Sequence, residues 1–292
     1  MKVKEIHKRH FTVYGLIVGT ILCIYSFIIL AVLIWGFLVS MKPQGEFFTN
    51  AYPWWKEFDF KYLDAITTFK VYPSEGFGRA YYDLGGMFIN SITYSIACAF
   101  VSTISPLVMA YVAAKYKYKF SGFLPKLVLT VMVIPGEVNI IANYMTIQSL
   151  GLMDTYAGMT ITSLVNISGM FMLRQHMMTL PKSLWEAAKM DGCSEMRYFV
   201  KIVVPLSKSI IAAQVLNSFI WIYNSYLWPL LVTSTENMRT IQTGIANLVR
   251  DMYWNPGGAL AGAIVCMIIP VVIYIIGLDQ IVSGLTSGAV KD

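Results

Sequence analysis

The side chains best suited to binding a small molecule form a polar stripe in an otherwise apolar stretch. Amides and indoles recur there at offsets of three and four, which places them along one face of a helix. Unpaired amides are costly in apolar surroundings, so this face should line a cavity or a helix contact. The rings and amides could bind a hydroxyl-rich ligand or join neighbouring helices, and both interpretations are open. The stripe comprises Gln214, Asn217, Trp221, Asn224 and Trp228, with Ser218 and Ser225 beside it.

Glu137 is an acidic residue well inside an apolar stretch, directly after Pro135 and Gly136. A carboxylate in such surroundings is a candidate for a functional role. The proline and glycine also favour a break in the helix, which would bring water or free backbone groups close to the carboxylate. Glu137 therefore joins the stripe as a candidate site residue, with a structural role as the alternative.

The remaining reactive residues do not form a catalytic set. The three histidines and four cysteines have neither metal-ligand nor triad spacing, and the sequence has no GxxxxGK[ST] loop that could hold a nucleotide. The motifs of zinc proteases and of serine hydrolases are also absent. The sequence therefore predicts a protein that is not an enzyme and holds no metal or cofactor of its own.

Residues 180–209 form a charged segment between two long apolar ones. Ser183 followed by Glu186 matches the capping-box pattern and predicts a helix that begins at about Leu184. Gly192 stands where a helix can end in the left-handed conformation, and Ser194 can cap a second helix. This segment is therefore predicted to fold as a short helix, a glycine turn and a second helix.

The composition predicts an all-α polytopic membrane protein. Of the 292 residues, 57% are hydrophobic and only 13% are charged, which is about half the charged share of an average soluble domain. Six apolar segments are long enough to cross the roughly 30 Å hydrocarbon core of a membrane. These segments are residues 11–41, 84–114, 127–153, 155–173, 209–235 and 252–278.

The loop charges predict how these segments are oriented. Fifteen of the 22 Lys and Arg residues lie in the N-terminal segment, residues 115–126, residues 174–208 and the C-terminal tail. The positive-inside rule then places both termini and the 180–209 segment in the cytoplasm. The basic residues lie at the ends of apolar runs, so the net charge of +6 does not indicate nucleic-acid binding.

Two parts of the chain are expected. Residues 1–83 would form an N-terminal transmembrane helix and an outer loop, and residues 84–292 would form the transmembrane core. The outer loop, residues 42–83, is polar and aromatic, and Trp54 and Trp55 favour anchoring at the membrane interface. A role facing the substrate is the alternative for this loop.

The 180–209 segment resembles the cytoplasmic coupling loop of permease subunits in binding-protein-dependent ABC importers. That pattern is E-A-A, three residues, G, nine residues, I, one residue, L-P, and Val204 in place of Leu is the only departure. In that family the loop is a short helix that docks on an ATPase subunit. The resemblance thus gives coupling roles to Glu186, Ala187, Ala188, Asp191, Gly192 and Pro205.

Further stretches are similar to the carbohydrate-uptake branch of the family, which includes the maltose importer. They are residues 134–137, 151–158, 221–230 and 284–291. The resemblance implies a type I importer of a sugar, most simply an oligosaccharide, in the cytoplasmic membrane of a bacterium or archaeon. The implied partners are a second permease subunit, an extracytoplasmic solute-binding protein and two ATPase subunits that use ATP and magnesium.

In a sugar importer the polar stripe would have a possible use, which rests on its own side chains because Asn224 is displaced by two residues from the family's W-N pattern and takes no role from it. Gln214, Asn217, Trp221, Asn224, Ser225 and Glu137 become candidates for the translocation path. In the maltose importer family the other permease subunit is the chief contact of the sugar, which favours the helix-packing interpretation. A permease for a non-sugar solute, a secondary transporter and a membrane-embedded enzyme are the competing functions.

Overall fold

The computed structural model describes residues 13–42, 70–71, 82–115, 123–250 and 256–286. Two short strands, β1 (Lys70–Val71) and β2 (Tyr82–Asp83), pair antiparallel directly before the second helix. Short 3-10 turns occupy Gly136–Asn139, Ile161–Leu164 and Glu236–Met238, and a π-helical turn occupies Phe199–Val203. The helices are α1 (Val13–Ser40), α2 (Leu84–Lys115), α3 (Leu124–Met132), α4 (Ile140–Ser149), α5 (Tyr156–Thr160), α6 (Ile167–Thr179), α7 (Lys182–Met190), α8 (Glu195–Tyr198), α9 (Val204–Leu206), α10 (Lys208–Tyr223), α11 (Leu227–Val232), α12 (Ile241–Arg250) and α13 (Pro256–Thr286).

Several of these helices could cross a membrane. Gly15–Ser40, Leu84–Lys115 and Gly257–Leu278 are each long and apolar enough to do so. Within the part of the chain that the structure describes, two bent helix pairs raise the number to as many as five, when each pair counts as one span. One pair is α5 with α6, and the other is the α8–α9 segment with α10. Apart from the two-residue strands, the regular secondary structure of the described residues is helical, and the all-α class is confirmed. The predicted span 127–153 is divided between α3 and α4, and the count of six spans stays a prediction.

Prolines mark two of the breaks inside the predicted spans. Pro135 separates α3 from the 3-10 turn that carries Glu137, as the Pro–Gly pair predicts. Pro229 lies in the first turn of α11, where it cannot donate to the carbonyl of Ser225 and its ring would clash with that carbonyl. The predicted span 209–235 is therefore divided in the same way, because α10 ends at Tyr223 and the chain restarts as α11.

The core is organised around α2 and α10. Helix α10 packs against α2 and α13, α2 also packs against α6, and α1 packs along α13. Small side chains allow the close approach of α2 to its neighbours, and Cys98, Ala99 and Ala110 on it are buried. Most of the outer loop, including Trp54 and Trp55, lies outside the described residues.

Candidate functional site

The segment that resembles a coupling loop folds as a helical hairpin, here called the hairpin and defined as residues 182–198. Its first helix, α7, begins earlier than expected, because Pro181 occupies the N-cap position with its fixed φ of −60°. Ser183 makes no capping hydrogen bond there, and Glu186 lies at the fifth helical position rather than the third. The capping-box interpretation of Ser183 and Glu186 is therefore wrong.

The turn at the end of α7 agrees with the sequence. Gly192 has a φ of +71°, in the left-handed region that disfavours residues with a Cβ atom. Its N–H donates to the carbonyl of Lys189 at 3.1 Å, and the N–H of Cys193 donates to the carbonyl of Ala188 at 2.9 Å. These two bonds are those of a Schellman motif, which satisfies the last carbonyls of α7 and reverses the chain.

The hairpin separates the six proposed coupling residues into an outward and an inward set. Ala188 is only 6% exposed and packs in an apolar cluster with Ala110 and Leu173 of the bundle. A larger side chain at position 188 would therefore collide with the protein's own core. Those that remain exposed, and so accessible to another protein, are Glu186, Ala187, Asp191, Gly192 and Pro205.

Two methionines at the tip of the hairpin extend this exposed surface. Met190 is 87% exposed and Met196 is also largely exposed. Methionine is flexible and polarizable, so it adapts well to an apolar protein surface. We call the surface formed by Glu186, Ala187, Met190 and Met196 the tip surface.

An aromatic cage that the sequence interpretation missed attaches the hairpin to α2. Lys115, the last residue of α2, forms an ion pair with Glu195 at the start of α8. Its Nζ atom lies 3.1 Å from the ring centroid of Trp185 on α7 and 5.1 Å from that of Tyr198 on α8. The two rings meet edge to face, with centroids 4.8 Å apart. No local sequence signal connects residues so far apart in the chain.

A π-helical turn follows the hairpin and leads into α9. The five residues Phe199–Val203 form this turn, and Pro205 lies in α9 directly after it. The segment from Glu195 to Leu206 meets α10 at an angle of 76°. Pro205 lacks the N–H that an α-helix would direct back to Lys201, so regular α-helical bonding cannot run through this turn.

The structure divides the predicted polar stripe. Gln214 is buried, its amide donates to the hydroxyl of Ser218 at 3.1 Å, and it lies against Gly169 of α6. Asn217 and Asn224 are exposed, and Trp221 is 79% exposed. Gln214 therefore contributes to packing inside the subunit, whereas the other three present polar groups on the subunit's outer surface.

The other candidate residues lie outside α10. Ser225 is partly buried in the break between α10 and α11, and Trp228 donates its indole N–H to the carbonyl of Met159 at 3.1 Å. Glu137 is exposed on its 3-10 turn. The described residues therefore place Asn217, Trp221 and Asn224 along one accessible edge, while Glu137 belongs to a different break in the bundle.

A second feature that the sequence interpretation missed is here called the clasp and consists of Asp154, Ser234 and Thr235. Asp154 joins α4 to α5 with a φ of +59°, and its carboxylate accepts from the N–H of Ser234 at 2.8 Å and of Thr235 at 3.1 Å. Its own N–H donates to the carbonyl of Val232 at 2.8 Å. The hydrogen bond from the Ser234 backbone, helped by those from Thr235, lowers the pKa of the Asp154 carboxyl.

Asn90 and Ser91 near the start of α2 bind the chain segment that follows the clasp. Asn90 donates to the carbonyls of Asn237, at 2.6 Å, and Arg239, at 3.0 Å. Its carbonyl oxygen accepts from the hydroxyl of Tyr156 at 2.8 Å. The hydroxyl of Ser91 accepts from the N–H of Ile241 at 2.8 Å. Helix α2 therefore has the hairpin at its C-terminal end and the clasp near its N-terminal end.

Comparison with known proteins places this architecture in a family. The sequence profile described as "Binding-protein-dependent transport system inner membrane component" matches residues 106–285. The sn-glycerol-3-phosphate transport system permease protein UgpE of Yersinia pestis is 33% identical over 214 residues, which cover 72% of this chain and 75% of the relative. The arabinooligosaccharides transport system permease protein AraQ of Halalkalibacterium halodurans is 32% identical over 204 residues, which cover 70% of this chain and 73% of the relative.

The fold has a counterpart among solved structures. A chain from a bacterial ABC transporter involved in the import of the acidic polysaccharide alginate superposes with a TM-score of 0.71 and 20% sequence identity, covering 92% of this chain and 96% of that chain. The fold, the hairpin and the extent of the sequence match lead to one assignment. The chain belongs to the family of inner membrane components of binding-protein-dependent transport systems, the permease subunits of ABC importers.

Proposed function

We propose that this chain is one of two different permease subunits in a bacterial sugar importer that is driven by ATP. In this proposal it has six spans, with both termini and the hairpin in the cytoplasm. Residues 1–83 form the first helix and outer loop, and residues 84–292 form the core. Two separate ATPase subunits bind ATP with magnesium, and an extracytoplasmic solute-binding protein delivers an oligosaccharide.

The observation that carries this proposal is the exposed hairpin. Its first helix ends in a Schellman turn at Gly192, so the chain reverses direction within a few residues. The tip surface beside this turn is exposed. The apolar side chains of Met190 and Met196 are costly to leave in water, which favours a protein partner on this surface. Membership of the family implies that this partner is an ATPase subunit.

The exposed edge of α10 supports a hydroxyl-rich solute. Asn217 and Asn224 can donate and accept hydrogen bonds, and the exposed ring of Trp221 can stack on the C–H face of a sugar. Glu137 and the three stripe residues add no positive charge that would pair with an anionic group. A neutral sugar is therefore the first candidate, and a phosphorylated polyol is the second because one relative is named for sn-glycerol-3-phosphate.

The test of the translocation path replaces the exposed polar edge one residue at a time. Alanine at Asn217, Trp221 or Asn224 should reduce uptake in proteoliposomes that contain the whole complex and its solute-binding protein. Assembly and stimulated ATP hydrolysis should remain, because these three side chains are exposed on the surface of this chain. Loss of assembly in all three variants would instead assign the edge to packing against the second permease.

The substrate class is tested on the solute-binding protein encoded with this permease. Binding should be measured against neutral oligosaccharides and against sn-glycerol-3-phosphate in the same buffer. Submicromolar binding of a neutral glycan, with no binding of the phosphate ester, would support the sugar proposal. The opposite result would replace it with the phosphorylated solute while leaving the role of the hairpin intact.

A further inference from the structure

We propose that Lys115 is a positioning residue that fastens the hairpin to the C-terminal end of α2. Hairpin and helix would then move as one body when an ATPase subunit displaces the tip surface. This inference rests on the proposed function, because it needs a partner that acts on the hairpin. It adds a named route by which a displacement at the tip reaches the membrane-spanning bundle.

The ammonium group of Lys115 joins three elements of the fold. Lys115 belongs to α2, Trp185 to α7, and Tyr198 and Glu195 to α8, and Lys115 contacts all three partners. Both arms of the hairpin are therefore attached to the same atom of α2. A hinge between α7 and α8, or between the hairpin and α2, would have to break at least one of these contacts.

A second residue of α2 reinforces the same attachment. Tyr111 lies one turn before Lys115, on the same face of the helix. The ammonium of Lys115 donates to the Tyr111 hydroxyl at 3.0 Å, and that hydroxyl donates to Oε2 of Glu195 at 3.1 Å. The ring of Tyr111 also packs against Phe199, with centroids 4.7 Å apart. The last turn of α2 thus presents a charge to the hairpin and a ring to the π-helical turn that follows it.

The low solvent exposure of the Lys115 ammonium strengthens its directional contacts with Glu195, Trp185 and Tyr198. The Lys115 side chain is 16% exposed, so its ammonium is largely withdrawn from water between aromatic faces. Cation–π attraction strengthens as the cation loses water, and a partly buried charge keeps its partners because separation is costly. The apolar contacts of Ala188 and Val203 in the cluster beneath the hairpin are non-directional and do not by themselves favour one orientation of a side chain. The charged cage, rather than the apolar cluster, therefore fixes the angle of the hairpin on α2.

The test measures sugar uptake and ATP hydrolysis together in proteoliposomes that contain the whole complex and its solute-binding protein. Lys115→Met removes the charge but keeps a long side chain, and we expect uptake per ATP hydrolysed to fall about tenfold. Lys115→Arg retains a cation that stacks on aromatic rings and should restore most of the coupling. Lys201→Met changes an exposed lysine outside the tip surface and should couple like the wild type.

A second readout separates positioning from a general loss of structure. With the four native cysteines replaced, spin labels at Lys189→Cys and Val112→Cys report the distance between the hairpin and α2. Both positions are exposed and lie outside the tip surface, so the labels should leave both the packing and the ATPase contact intact. The distance distribution should broaden with Lys115→Met and stay narrow with Lys115→Arg.

The outcomes distinguish this inference from the proposed function. If Gly192→Val uncouples transport while Lys115→Met leaves both coupling and distance distribution unchanged, the role of Lys115 is overturned and the hairpin keeps its function. If neither variant affects coupling, the proposed function fails as well. If Lys115→Met does not assemble, Trp185→Leu serves as the second variant, because it removes the ring but keeps the charge. Failure of both to assemble would show that the cage serves folding alone and would overturn the inference.

Discussion

The two ends of α2 are attached to the rest of the protein by different chemistry. Near its start, hydrogen bonds between side chains and backbone groups hold the neighbouring segments: Asn90 donates to a carbonyl, whereas Ser91 and, in the clasp, Asp154 accept from N–H groups. At its end, Lys115 holds the hairpin through a charge and aromatic rings. Roughly 38 Å of helix separates Asn90 from Lys115.

The two attached segments differ in how many of their backbone hydrogen bonds they form internally. The N–H groups of Ser234 and Thr235 lie just before a 3-10 turn and have no acceptor within it, so Asp154 supplies the acceptors that they need. The hairpin satisfies its backbone internally through α7 and the Schellman turn. It can therefore be displaced as a unit, and only side-chain contacts decide what moves with it.

The largest effect is expected at the hairpin turn. Gly192→Val places a β-branched residue at a φ of +71°, where the left-handed conformation costs about 2 kcal/mol. We expect the turn to rearrange and uptake to be lost, while the clasp end stays native. Uptake and ATP hydrolysis in proteoliposomes measure this effect.

The control for this substitution is Gly192→Asn, because asparagine tolerates the left-handed conformation better than other residues with a side chain. It should retain a substantial part of the uptake. Wild-type coupling in the valine variant would show that the turn is not the element that transmits displacement.

Glu186 provides a sharper test of the tip surface. It is exposed and makes no capping bond, so Glu186→Ala should change folding stability by less than about 0.5 kcal/mol. Uptake per ATP should nevertheless fall several-fold if this carboxylate meets the ATPase. Membrane abundance, ATPase association and uptake should be measured together, with Lys201→Met as the exposed control. A variant that binds the ATPase and transports normally would remove Glu186 from the contact.

At the other end, Asp154→Ala should release the clasp. The N–H groups of Ser234 and Thr235 lose their acceptor, but water can reach them, so we expect a loss of about 1 kcal/mol. Asp154→Asn keeps one acceptor oxygen and tolerates the positive φ, and should lose less. Thermal unfolding of the purified complex and proteolysis within residues 233–240 report the change. Equal behaviour of both variants would show that the clasp contributes little.

The smallest effect is the pH dependence of the clasp. The pKa of Asp154 is held below its ordinary value of 3.8 by hydrogen bonds from Ser234 and Thr235. A group with a lowered pKa contributes its full stabilisation above the ordinary value and loses it as the pH falls through the lowered one. Hydrogen exchange at Ser234 and Thr235, corrected for its intrinsic pH dependence, should therefore rise below about pH 4. Asp154→Asn should show no such rise, and an identical rise in both proteins would refute the assignment.

Several features of the fold could be predicted because they depend on local chemistry. Gly192 ends α7 in the left-handed conformation as expected, since no other residue adopts it as easily. Pro135 breaks the third predicted span as expected. The predicted start of α7 was wrong, because Pro181 is the N-cap and the helix already includes Ser183. Both Pro181 and Ser183 favour a helix start, and the fixed φ of proline places the start at Pro181.

The candidate path illustrates the limit of periodicity. The offsets of three and four correctly place Gln214, Asn217 and Trp221 on neighbouring turns of one helix. They do not reveal that α6 covers Gln214 while Trp221 stays open. Which part of a helical face is covered depends on where the neighbouring helix diverges, and that is decided by packing.

By itself, the sequence determined the membrane class, the helical content, the glycine turn of the hairpin and the family pattern around it. Each of these depends on apolar length, on backbone preference or on residues within a few turns of one another. The tertiary structure alone decided that Lys115 meets Glu195 and that Asp154 meets Ser234, pairs that are each 80 residues apart. Such pairs form only after the bundle brings distant segments together, because a single charge or carboxylate carries no signal of its partner until packing fixes the distance between them.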